Sequence, residues 1–249
     1  TNTFFMSALG NKKIIAQLRN ELLQLQTIRQ YQQERCIRLG VPELERAFPG
    51  ARFPISAVHE FLSYAWEDAA ATNGFITGVL SQLMASDGYC LWVSNRKSVY
   101  APALRRFGIA PHRVLFIESF KRADLLWILE EALKCGALAA VVAEVPDLNF
   151  TESRRLQLAV EHSQVTGFIH RYFPCNENTL ACMSRWRIQA LPSYHTEGLP
   201  GLGFPRWKVS LLKIKNGQPG SWPITWNGQA FELVHSTPAS MPLSTEVYG

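Results

Sequence analysis

Apolar residues between positions 12 and 33 recur at steps of three and four: Ile14, Leu18, Leu22, Leu25 and Ile28, with Lys, Arg and Gln between them. That period predicts a helix over 12–33 with one apolar stripe, able to dock on its own body or on another subunit. A polar, turn-rich link follows, with Gly40, Pro42, Pro49 and Gly50. From residue 51 strand-length apolar runs alternate with helix-length segments. Strands are expected at 55–62, Tyr89–Ser94, Val114–Glu118, Leu138–Val145 and 167–172. Helices are expected at 69–85, Ala101–Phe107, 123–134 and 152–166, with Gly108 and Gly136 as stops for the second and third. The run Leu138–Val145 is apolar except at Glu144, enough for a strand covered on both faces. Strands separated by helices predict parallel βαβ units with right-handed crossovers.

The last third changes pattern. Strand-like runs at 181–191, 207–215 and 221–226 have no helix between them, and Asn216-Gly217-Gln218-Pro219-Gly220 reads as a hairpin turn. Residues 194–205, with Pro200, Gly201, Gly203 and Pro205, read as a mobile loop, and the polar stretch beyond Leu233 as a loose tail. The expected fold is α/β, with a mostly parallel central sheet, a C-terminal antiparallel hairpin and an N-terminal helix. The expected divisions are 1–39, 40–233 and 234–249.

Composition narrows the class. With 47% hydrophobic and 18% charged residues in 249, the chain reads as a soluble globular protein. A net charge of +5 is compatible with nucleic acid without requiring it. Cys36, Cys90, Cys135, Cys175 and Cys182 form no CxxC pair, so they read as buried free thiols in a reducing compartment. Closely spaced metal ligands are missing, so no metal site is expected. No apolar run approaches the roughly 20 residues that span a bilayer, and the first residues lack a basic leader. These features predict a cytoplasmic protein with no membrane partner.

The turn between the first core strand and its helix, residues 59–75, is where many α/β proteins hold phosphate. A phosphate loop aims successive backbone N–H groups inward, uses glycines for the tight wrap, and adds a lysine and a hydroxyl. On the pattern GxxxxGK[ST], Ser63 and Asp68 stand where glycines belong, Ala69 where the lysine belongs, and Ala70 where the hydroxyl belongs. Glu67 and Asp68 would repel a triphosphate by on the order of 1 kcal/mol each if partly exposed. In the first turn of a helix the same acids favour the positive end of its dipole by roughly 0.3–1 kcal/mol. The turn therefore reads as a self-filled helix cap, with no cofactor expected.

The order of these pieces resembles the RecA recombinase core over roughly residues 40–230. The carrying segments are Pro42-Glu43-Leu44-Glu45-Arg46-Ala47-Phe48-Pro49, the stretch from Cys90 through Ile109, and Gly136-Ala137-Leu138-Ala139-Ala140-Val141-Val142-Ala143-Glu144. The last is similar to a Walker B strand, and Arg96 falls where active recombinases carry the carboxylate that polarises water. A narrower resemblance is to the ImuA family. It rests on His59-Glu60-Phe61, Ala69-Ala70-Ala71-Thr72, Ser153-Arg154-Arg155-Leu156-Gln157-Leu158-Ala159 and the stretches Gly198 to Trp207 and Leu211 to Trp222. The resemblance implies a non-enzymatic accessory factor of SOS-induced mutagenic translesion synthesis, with RecA, ImuB and an error-prone polymerase subunit as partners. A functional DNA-dependent ATPase with an unusual loop and a SulA-type division inhibitor are the alternatives.

Further candidate sites come from charge and aromatic placement. Arg185, Arg187, Arg206, Lys208, Lys213 and Lys215 face one acid, Glu197, between Met183 and Lys215, with Trp186, Tyr194, Phe204 and Trp207 among them. Cations for phosphates and aromatics for bases make a platform for single-stranded DNA, although alternation at 207–211 is also that of any half-buried strand. Arg154 and Arg155 read as a solvated edge, an ion pair with Glu152, or a docking point. Leu18 and Leu22 are the candidate contacts of the N-terminal helix. His59 beside Glu60 reads as a hydrogen-bonded histidine at a strand end, and no serine or cysteine has a nucleophile motif.

Overall fold

A computed structural model describes residues 36–85, 88–194 and 203–234. The expected helix over 12–33, with Leu18 and Leu22, and the tail from 235 onward lie outside the described residues, as does most of the expected loop at 194–205.

The elements run β1 (Cys36–Ile37), α1 (Pro42–Glu45), β2 (Phe53–Pro54), β3 (Val58–Ser63), α2 (Trp66–Leu83), β4 (Tyr89–Ser94), a 3-10 helix at Ala101–Phe107 and β5 (Val114–Glu118). There follow α3 (Arg122–Lys134), β6 (Leu138–Val145), α4 (Phe150–Ser163), β7 (Thr166–Tyr172), β8 (Ser184–Tyr194), β9 (Phe204–Ile214), β10 (Gly220–Trp226) and β11 (Phe231–Leu233). One nine-stranded sheet has the order β11-β10-β9-β8-β3-β7-β6-β4-β5. Pairing is parallel from β8 across to β5, and antiparallel from β8 out to β11. The α/β class, the mostly parallel sheet and the C-terminal antiparallel hairpin are as expected.

Strand alternation sorts the apolar side chains into two cores. Phe61, Trp92, Val142, Phe168, Trp186, Trp207 and Val209 face α2, the 3-10 helix and the link residues Leu39, Val41, Leu44 and Phe48. Leu91, Val93, Val141, Ala143 and Ile169 face α3 and α4 through Leu129, Leu133, Leu156 and Val160. The link that reads as polar thus supplies five buried apolar side chains, Ala47 being the fifth. Its spacing follows neither helix nor strand period, because the chain turns at Gly40 and Gly50, both at positive φ.

The limits of α2 and α4 differ from expectation at both ends. The helix expected at 69–85 begins three residues earlier, at Trp66. The one expected at 152–166 runs Phe150–Ser163. Asn149 starts it with a reciprocal capping box to Glu152, and Gln164, at φ 70°, ends it before β7 begins at Thr166. The hairpin after β9 turns at Asn216, also at positive φ. β11 was hidden by its length of three residues.

Candidate functional site

The carboxyl ends of β3, β4, β6 and β7 converge on the N-terminus of α2, where alternation aims Ser63, Trp92, Glu144 and His170 at one side of the sheet. Only Tyr64 and Ala65 separate β3 from α2, too short a connection to wrap a phosphate with successive N–H groups. Ser63 is buried, its Oγ 2.9 Å from His170 Nε2 and 2.9 Å from Thr72 Oγ1. Ala69 is buried and Ala70 exposed. Glu67 and Asp68 do fall in the first turn of α2, and an Asp68 carboxylate oxygen also accepts the Ala190 N–H at 3.0 Å. That last bond ties the turn to β8, across 122 residues of chain.

Glu144, at the end of β6, is fully buried and its Oε1 accepts from three donors: Trp92 Nε1 at 2.8 Å, Asn73 Nδ2 at 3.3 Å and the Ser98 hydroxyl. Because the Asn73 amide nitrogen faces Glu144, its Oδ1 accepts from His170 Nδ1 at 2.9 Å. The Ser63 hydroxyl then donates to His170 Nε2. Burial, helped by the Arg96 charge, pushes the His170 pKa down to about 3, so the ring is neutral. Arg96 lies 3.5 Å from Glu144 Oε2, with its guanidinium 4.5 Å from the Trp66 ring centre and 4.3 Å from that of Tyr172. Trp66 in turn meets Phe173 edge-on at 4.7 Å. A protein cation, held between two aromatic faces, thereby sits against the carboxylate at the end of β6. Beside it a cleft of about 180 Å³ is lined by Trp92, Ser94, Arg96, Ser98, Phe116 and Glu118. That is below the roughly 300 Å³ at which small-molecule sites begin.

On the opposite face of the sheet lies a second buried cluster. Glu60 takes Arg171 Nη1 at 2.8 Å on one oxygen and Arg185 Nε at 2.7 Å on the other. Arg171 also pairs with Asp147 and donates to the Asn176 carbonyl, while Arg185 donates to that of Asn178. These bonds hold the β7–β8 connection down across β3. His59, next in sequence to Glu60, points the other way, as successive strand residues must. Its Nδ1 lies 2.6 Å from Ser184 Oγ and its Nε2 2.9 Å from the Pro54 carbonyl. Burial lowers its pKa to about 3. His59 is thus hydrogen-bonded, as expected, but within the sheet and unconnected to Glu60.

Several other sequence candidates are redistributed. Trp186 and Trp207 are buried in the α2-side core, stacked among Phe61, Phe75 and Phe231, so neither offers a face to a base. Arg185 is spent on Glu60. Arg187, Arg206, Lys208 and Lys213 share one sheet face, and Lys215 follows directly after β9. Glu152 pairs with Arg122 instead of Arg154 or Arg155; Arg155 pairs with Glu130, and Arg154 is exposed. Leu156, Ala159 and Val160 are the buried face of α4, as their spacing requires. The cysteines form no disulfide among the described residues, but only Cys90 is fully buried; Cys135 and Cys175 are exposed. Among the described residues no cluster of ligands could hold a metal ion, and no helix is long and apolar enough to cross a membrane. Asn73, Trp92, Ser98 and His170 carry no motif and were missed. The one available signal was that Glu144 interrupts an apolar strand and so needs buried donors.

The fold and this site define an α/β protein whose strand-to-helix turn is occupied by its own side chains. No family model matches the chain. It is 33% identical over 211 residues to Protein ImuA of Caulobacter vibrioides, in strains NA1000 / CB15N and ATCC 19089 / CIP 103742 / CB 15, covering 80% of this chain and 85% of the relative. It is 25% identical over 126 residues to Cell division inhibitor SulA of Photorhabdus laumondii, covering 51% of this chain and 71% of that one. The chain belongs to the ImuA family.

Proposed function

We propose that this protein is a non-catalytic accessory factor of SOS-induced mutagenic translesion synthesis, acting in the cytoplasm by binding RecA and the ImuB/error-prone polymerase assembly. Membership of the ImuA family carries this reading. The geometry favours contact over catalysis: the two-residue turn at Tyr64 and Ala65 offers no cradle, and Arg96 stands against Glu144 where a nucleotide enzyme needs room for phosphate. No nucleotide cofactor belongs to this reading. The docking surfaces in this reading are the stretch 12–33, through Leu18 and Leu22, and the outer side of α4, through Arg154 and Arg155.

The test is affinity capture of the tagged protein from DNA-damaged cells, with nuclease present throughout. RecA and the polymerase subunits are expected together, and Leu18→Asp with Leu22→Asp is expected to lose RecA. Recovery of neither overturns the reading. The partial similarity to a division inhibitor supports a second reading, which predicts capture of the tubulin-like division protein instead. Equilibrium dialysis against ATP and Mg²⁺ separates off an ATPase: measurable binding would defeat the non-catalytic view.

A further inference from the structure

We infer that the open face of β8, β9 and β10 binds the phosphodiester backbone of DNA. Register brings the residues together: Lys208 lies opposite Gln189, Ser210 opposite Arg187, Arg206 opposite Leu191 and Lys213 opposite Arg185. On the far side β10 sets Ser221, Pro223 and Thr225 against Ser210, Lys208 and Arg206. Period two sends Trp186, Ile188, Trp207, Val209 and Leu211 to the core, so the other side carries the cations, small polar groups, Leu191, Pro223 and the exposed Phe204. α3 and α4 pack over the parallel half of the sheet, on β4 and β6, and among the described residues no helix packs over this half.

The cations of this face lack ion-pair partners, although the Arg187 guanidinium lies 4.9 Å from the centre of the Tyr64 ring. Among the described residues none of Arg187, Arg206, Lys208 or Lys213 forms an ion pair, and the Nε atoms of Arg187 and Arg206 are buried without a hydrogen-bond acceptor. Of the nearby acids, Glu60 is paired with Arg171 and Arg185, while Glu177 and Glu232 accept from the neutral Tyr64 hydroxyl and Asn227 amide and form no ion pair with these cations. At about 3.4 Å per residue, and about 4.8 Å between strands, Arg206 to Lys213 spans roughly 20 Å, so the four cations form one row along β8 and β9. The planar fork of a guanidinium suits phosphate oxygens, and lysines add point charges. With Trp186 and Trp207 turned inward, the face offers cations to the backbone and Phe204 as an exposed aromatic, so binding is independent of sequence and steeply salt-dependent.

This inference goes beyond the protein contacts proposed above and does not depend on them. It is tested with the purified full-length protein alone, by fluorescence anisotropy of labelled single-stranded and duplex oligonucleotides across a salt series. Lys208→Ala with Lys213→Ala removes two exposed cations. It is expected to weaken binding at least roughly tenfold near 0.1 M salt and to make the slope of log K against log salt shallower by about two. Arg105→Ala with Arg106→Ala, the same charge change on the 3-10 helix across the sheet, is expected to leave the slope unchanged. Should the first variant fold poorly, Lys208→Gln alone carries the test with a slope shallower by about one. No binding at low salt, equal losses in the two double variants, or equal affinity for vesicles of anionic lipid would each overturn the assignment.

Discussion

Replacing Glu60 with Gln keeps the side chain's size and removes one charge from beneath the β7–β8 connection. Glu60 and Arg171 are fully buried and Arg185 nearly so, with side-chain exposures of 0%, 0% and 14%. Removing one partner of a buried pair typically costs 3–5 kcal/mol, because the other charge remains out of water. The cost here belongs at the lower end, about 3 kcal/mol, since Arg171 keeps Asp147 and the Asn176 carbonyl, and Arg185 keeps the Asn178 carbonyl. Volume is conserved, so no cavity contribution adds to this. Urea unfolding followed by tryptophan fluorescence measures it: at an m value of about 1–3 kcal/mol/M the midpoint falls by at least about 1 M, with m unchanged. The comparison is Asp147→Asn, at the exposed end of the same network, where screening by water holds the loss to about 1 kcal/mol. Should Glu60→Gln cost no more than Asp147→Asn, the claim that burial makes this cluster structural is wrong.

Two other predictions concern the α2-side core. His59 and His170 have pKa values lowered by burial from 6.5 to about 3, so the unfolded chain binds more protons than the folded one between those values. Stability is therefore full above pH 6.5 and falls as pH drops toward 3, each histidine adding about 1.4 kcal/mol per unit of slope. Unfolding of His170→Gln across that range should show a shallower decline, and an unchanged slope would refute the assignment. Gly78→Ala in α2 would gain about 1 kcal/mol from helix propensity alone. Here the new Cβ would come within 2.4 Å of the Phe231 ring, which is wedged among Phe75, Trp207 and Trp226, so a net loss of about 1–3 kcal/mol is expected in thermal unfolding.

Strands and helices with strong local periods were legible in the residues. Val114–Glu118 and Leu138–Val145 appear with the bounds their apolar runs predict, because a short apolar run rich in β-branched residues and bounded by turns favours a strand. The link from Leu39 to Phe48 was not legible, since its buried residues answer to no repeat and are selected by the shape of the core they close. The missing phosphate pattern at Ser63, Asp68, Ala69 and Ala70 was plain from residue types. What fills the space instead was not: Arg96 reaches Glu144 only because β4 and β6 are neighbours in the sheet.

The same division holds for the charges. Sequence alone determined that residues 183–215 are rich in cations and aromatics, and that two alternating strands carry them. It could not determine that the tryptophans go inward, that Arg185 is neutralised by Glu60 from β3, and that Arg187, Arg206, Lys208 and Lys213 share one open face. Local period says which residues share a side of a strand. Which side meets water depends on where the helices pack, and which charge finds a partner depends on residues more than a hundred positions away.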